Sequence, residues 1–193
     1  MITLPKMIDA SGNDCVVACT VMVCMYWRRL KPNLSWNLPL EFNSKEWESF
    51  YENGLKYVKM SGMPFNNITR FLKKINLPLD ARLEFLEDMY GLRNLINLNI
   101  PPIVIYDRNY FFKNVQGIGH AAILVDYTEE LFISIDPSMG PKFVLKLPKS
   151  DFSEAWKLKH NATIIIHPKT FKMRRIEIPS KETLLPYLHK GGQ

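Results

Sequence analysis

Three residues of this 193-residue chain are of the types that perform acyl chemistry, and they stand far apart: Cys15, His120 and Asp136. Cys15 lies in SGNDCVVACTVMVCMYWRR (11–29), where a polar stretch becomes an apolar run. The thiolate is the nucleophilic form of cysteine, and the start of a helix favours that anion. Such a thiol needs a base, and the base needs a partner to orient it. Of the four histidines, His160 falls in a polar loop, His167 at a strand end before Pro168, and His189 in the tail. His120, in GIGHAAILVDY, stands at the mouth of a strand, after glycines that let a backbone pass closely. Asp136 follows in SIDPSMG, where Pro137 ends the strand and sets the turn.

If HAAILVDY and LFISIDP pair as antiparallel neighbours, His120 and Asp136 meet at one end of the hairpin. The carboxylate can then accept from one imidazole nitrogen and hold the other toward a thiolate. Singly, each residue has an ordinary use: helix cysteines fill cores, strand histidines are structural, and Asp-Pro makes turns. The combination carries the chemistry.

The elements that must position them read as follows. Residues 11–14 supply capping chemistry for a helix over 15–30, apolar nearly all round and so buried, with Arg28 and Arg29 at its C-terminal end. Residues 31–44 are loop-like. Helical spacing recurs over 45–59 and 66–74; a short strand over 79–84 and a helix over 86–97 follow. The second half changes to short β-branched or aromatic runs at 101–107, 120–128, 131–137, 142–148 and 162–168, with a short helix in KSDFSEAWKLK. Helices followed by a mostly antiparallel meander predict an α+β fold, the sheet packed on the Cys15 helix.

Composition narrows the function classes. Hydrophobic residues make up 47% and charged residues 23%, as in a globular domain. The net charge of +6 is partly a tail effect, since residues 168–193 hold six Lys/Arg against two Glu. The basic residues form no block and match no nucleic-acid motif, so no nucleic-acid partner is expected. Three cysteines within ten residues, without a CxxC pair, argue against a disulfide framework and a zinc site. No metal or cofactor is expected. Free thiols, no signal-like N-terminus and an apolar run too short for a bilayer predict a cytoplasmic protein with no membrane span.

The order and spacing resemble a family. DCVVACTVMVCMYW, NIPPIVIY, GHAAILVDY, FISIDPSMG and DFSEAWKLKHNATIII are similar to papain-like cysteine peptidases of the bacteriocin-processing type, which remove double-glycine leader peptides, and to their soluble stand-alone relatives. The resemblance covers about residues 3–168, leaving 169–193 as a basic tail. It implies a papain-like fold, Cys15 as nucleophile, His120 as general base and acid, Asp136 as orienter, and a peptide or protein substrate. The chain departs from the pattern twice. Val16 stands where the family has glycine, and Asp9 where it has the oxyanion-hole glutamine. A carboxylate cannot donate unless protonated, so the hole needs a protonated Asp9 or Asn13 as donor, or the site no longer cuts peptides. Three functions stay open: a peptidase working through an acyl-enzyme, a thiol acyltransferase or amidase with the same triad, and a degenerate module that binds a peptide without cleaving it. The Gly191-Gly192 tail invites self-processing after Gly192. The sequence leaves the oligomeric state open.

Overall fold

A helix that is apolar on every side needs cover on every side, and α1 (Cys15–Leu30) receives it. The computed structural model of the chain describes residues 1–10, 12–59, 62–112, 119–139 and 144–171. Every α1 residue from Cys15 to Trp27 is buried, between the sheet and α2 (Lys45–Leu55). Gly54 allows α2 to come this close: a Cβ there would lie 2.5 Å from Val17 Cγ1 and 3.1 Å from Phe71 Cζ. Phe71 belongs to α3 (Phe65–Lys74) and stacks on Phe50 of α2, centroids 4.6 Å apart.

Among the described residues the sheet has six strands, all antiparallel: β1 (Leu79–Phe85), β2 (Ile103–Asp107), β3 (Gly119–Tyr127), β4 (Leu131–Ile135), β5 (Val144–Pro148) and β6 (Ala162–Pro168). Between them come α4 (Met89–Asn97), the four-residue α5 (Asn109–Phe112) and α6 (Lys149–Lys157). The α+β class is as expected. The meander, however, holds only for β2 to β5. The spatial order is β1-β6-β2-β3-β4-β5, so the last strand enters between β1 and β2. Its composition explains the slot: Thr163 to Pro168 are all buried, and a strand buried on both faces belongs in the middle of a sheet.

Two helices are shorter than their patterns predict. The second stops at Leu55, and α4 begins at Met89 because Asp88 is its N-cap, its carboxylate accepting from Tyr90 N at 2.8 Å. Strand alternation then assigns the two faces of the sheet. Ile105 lines the cavity beside Cys15, and its neighbour Tyr106 packs on Phe152 of α6, as does Phe132 of β4. The N-terminal segment is stitched to this frame. Ile2 N donates to Val125 O at the β3 bulge, and Ala10 N donates to Pro137 O just past β4, both at 2.7 Å. The tail from residue 172, with Gly191 and Gly192, lies outside the described residues, as do 142 and 143 of the fifth predicted strand.

Candidate functional site

His120 is the second residue of β3 and stands opposite Tyr106 in the ladder, so both side chains project from the same face. Both reach Asp136, the residue after β4. His120 Nε2 lies 2.8 Å from Asp136 Oδ1, and the Tyr106 hydroxyl donates to Oδ2 at 3.1 Å. Ser138 donates to Oδ1 twice, from its backbone N at 2.9 Å and from its hydroxyl at 2.8 Å. Asp136 is fully buried and four hydrogen bonds meet it, which is how a buried carboxylate stays ionised. Burial alone would raise its pKa. The His120 bond and charge and the Ser138 bonds reverse that, holding it at about 2.

The other side of the imidazole faces Cys15, the first residue of α1, with which His120 interacts by hydrogen bond and charge. Burial works against an imidazolium at this depth. The Asp136 and Cys15 hydrogen bonds and their negative charges outweigh it, pushing the pKa from 6.5 up to about 9. Because Asp136 engages Nε2, Nδ1 is the nitrogen left for the thiol. Cys15, His120 and Asp136 are thus brought together from residues up to 121 positions apart, 136 − 15.

The helix start differs from its expectation. Asp14 is the N-cap, but its carboxylate makes no bond to the first turn of α1. It turns back instead: Oδ1 accepts from Gly12 N at 2.9 Å, and Oδ2 accepts from the Tyr51 hydroxyl of α2. Burial, then the Asp14 bond and the charges of Asp14, Asp9 and Cys15, push the Tyr51 phenol well above its ordinary range. Asp9 is exposed and lies near enough to Tyr51 to act on it, but does not line the cleft beside Cys15; Asn13 does. Deeper in α1, Cys19 Sγ donates to Ala121 O at 3.6 Å. Burial drives the Cys19 and Cys24 thiols far up, so neither resembles a nucleophile.

Beside Cys15 and His120 opens a cavity of about 620 Å³. Its floor is formed by the sheet side chains Leu83, Ile105, Ala121 and Ile164, and one side is the loop of Gly62 and Met63. Gly62 has φ of 93°, a conformation that suits glycine. A more open groove of about 360 Å³ between Leu38, Phe50 and Ile75 contains no cysteine or histidine. Among the described residues no group of three or more His, Cys, Asp or Glu side chains could hold a metal ion. No helix there is long and apolar enough to cross a membrane.

Sequence reasoning missed Tyr106, Ser138, Asp14, Tyr51 and Arg108, which also lines the cavity. Ser138 was within reach: an Asp followed two residues later by an N–H donor is the pattern of an Asx-turn. Tyr106 and Tyr51 carried no local signal, since their partners come from other elements.

No protein-family model matches the sequence, and no curated protein does. Solved structures match the fold over most of the chain. A double-glycine-motif protease from an AMS/PCAT transporter, solved with its leader peptide, is 17% identical with a TM-score of 0.56, covering 86% of this chain and 93% of that one. A Bacillus anthracis protein classed as a C39-like peptidase is 12% identical, TM-score 0.60, covering 85% and 94%. The peptidase domain of Streptococcus ComA, a bi-functional ABC transporter in quorum sensing, is 16% identical, TM-score 0.53, covering 85% and 98%. The chain therefore has the α+β, papain-like fold of the C39-like double-glycine peptidase domains.

Proposed function

We propose that the protein is a cysteine peptidase that cleaves a peptide or protein through Cys15, His120 and Asp136. The observation that carries this reading is the 2.8 Å His120–Asp136 pair, buried beside Cys15 at the edge of a cavity of about 620 Å³. In this reading His120 takes the thiol proton, and Asp136, fixed by Tyr106 and Ser138, holds the ring and balances its charge. The thiolate attacks the scissile carbonyl to form a tetrahedral intermediate. His120 then gives its proton to the leaving amine, leaving an acyl-enzyme. Water, activated by the same imidazole, releases the acid and restores the thiol.

The oxyanion faces the start of α1, where first-turn N–H groups and the helix dipole favour negative charge. Asn13, on the cavity wall, is the side-chain donor we assign to it, in place of Asp9, which lies outside the lining. The leader peptide bound to one structural neighbour supports an extended peptide as ligand here.

The test is thiol alkylation as a function of pH, each cysteine mapped by mass spectrometry, in wild type and His120→Ala. Cys15 reacting faster than Cys19 and Cys24 at about pH 5–6, and losing that lead without His120, supports the reading. Cys15 behaving like the other two refutes it. The carboxylates of Asp9 and Asp14 near the helix start favour a second reading, a module that grips a peptide without cutting it. Peptide binding with a reactive Cys15 but no acyl-enzyme would select that one.

A further inference from the structure

Among the described residues lining the cavity, one carries a permanent charge, Arg108; the others are apolar, small or neutral, apart from the reacting Cys15 and His120 themselves. Building on the peptidase reading, we infer that Arg108 is a specificity residue: the part of the substrate that fills this cavity bears an acidic side chain, Asp or Glu, bound by the Arg108 guanidinium.

Arg108 directly follows β2, and the neighbouring carboxylate, Asp107, is engaged by other donors. Asp107 Oδ1 accepts from Asn109 N at 3.0 Å, and Oδ2 faces Lys159 Nζ at 3.5 Å. Lys159 runs along the same rim, its chain passing 3.7 Å from where a Gly119 Cβ would stand, and balances Asp107 there. An anionic side chain in the cavity is drawn toward the Arg108 guanidinium. A guanidinium has five donors in a fixed fork, so it can take a carboxylate bidentately while keeping other contacts. Apolar walls make such a charge-assisted bond stronger than it is in water.

The test uses blocked tripeptidyl chloromethyl ketones with Glu, Gln or Lys at each of the three positions, read as the rate of Cys15 labelling by mass spectrometry. One charge-assisted hydrogen bond predicts that at one position Glu outpaces Gln by about tenfold or more, with Lys slowest. Arg108→Gln levels the ratio. Arg108→Glu turns the preference toward Lys, a result that misfolding cannot produce. Equal rates for Glu and Gln at all three positions, with Cys15 labelled, overturn the inference and leave the thiol reading standing. Failure of every probe to label Cys15 overturns both.

Discussion

Replacing Asp136 by asparagine takes one charge and almost no volume from the most deeply buried point of the site. The amide oxygen can occupy the Oδ1 position, where His120 and both Ser138 donors meet, and its NH₂ can donate to the Tyr106 oxygen, so the fold should survive. What disappears is the charge that helps hold His120 at about 9 against its ordinary 6.5. That gap, 9 − 6.5, corresponds to about 3 kcal/mol for a residue only 4% exposed. Because the folded-state pKa is raised, this stabilisation is fully present below 6.5 and is lost as pH rises through 9. Cys15 supplies part of it, so the variant should lose less than the whole. With the carboxylate gone, burial weighs more heavily and the His120 pKa should fall from about 9 toward its ordinary 6.5. The assay is a proton NMR titration of the His120 ring, its resonance identified by absence in His120→Ala, with unfolding free energies near pH 6 and pH 10. The wild type should exceed Asp136→Asn by more at the lower pH. A His120 that still titrates near 9 in Asp136→Asn would refute the reasoning.

Three further outcomes follow from the packing. Tyr51→Phe removes a donor from the buried Asp14 carboxylate and should cost about 1–3 kcal/mol in urea unfolding; an unchanged midpoint would mean that this bond contributes nothing. Gly54→Ala gains helix propensity but sets a methyl 2.5 Å from Val17 Cγ1, so overpacking should win by about 1–3 kcal/mol. A rise in melting temperature would show that α1 and α2 can separate freely. Cys24, fully buried with its thiol pushed far up, should resist thiol reagents in native buffer and react on unfolding; native labelling of Cys24 would contradict the burial of α1.

The sequence was legible where a local pattern decided the outcome. Helix α1 spans the predicted 15–30 because an unbroken apolar run has one good place to go. His120 and Asp136 sit at the same end of a hairpin because strand, turn and strand leave little freedom. The slot of β6 could not be read: the isoleucines at 164–166 indicate burial on both faces but do not name the neighbours. Asp14 was misjudged for a similar reason. An aspartate before a helix ordinarily caps it, but Tyr51, 37 residues away, offers a competing donor that no local pattern reveals. Arg108 was invisible as a site residue because the cavity around it is assembled from α1, the loop of Gly62 and Met63, the start of α3 and four strands at once.

The position of β6 bears on the order in which the protein can be made. The strand that enters the middle of the sheet is the last of the described chain to be synthesised, and it brings Ala162 and Ile164 to the cavity floor. Until it emerges, β1 and β2 have no partner between them and the apolar face of α1 lacks part of its cover. Long-range pairings of this kind close late, and the chain exposes strand edges in the interval. Cys15 is thus made well before the strand that completes its surroundings. A nascent or C-terminally truncated chain would carry the thiol without the cleft that gives it a substrate.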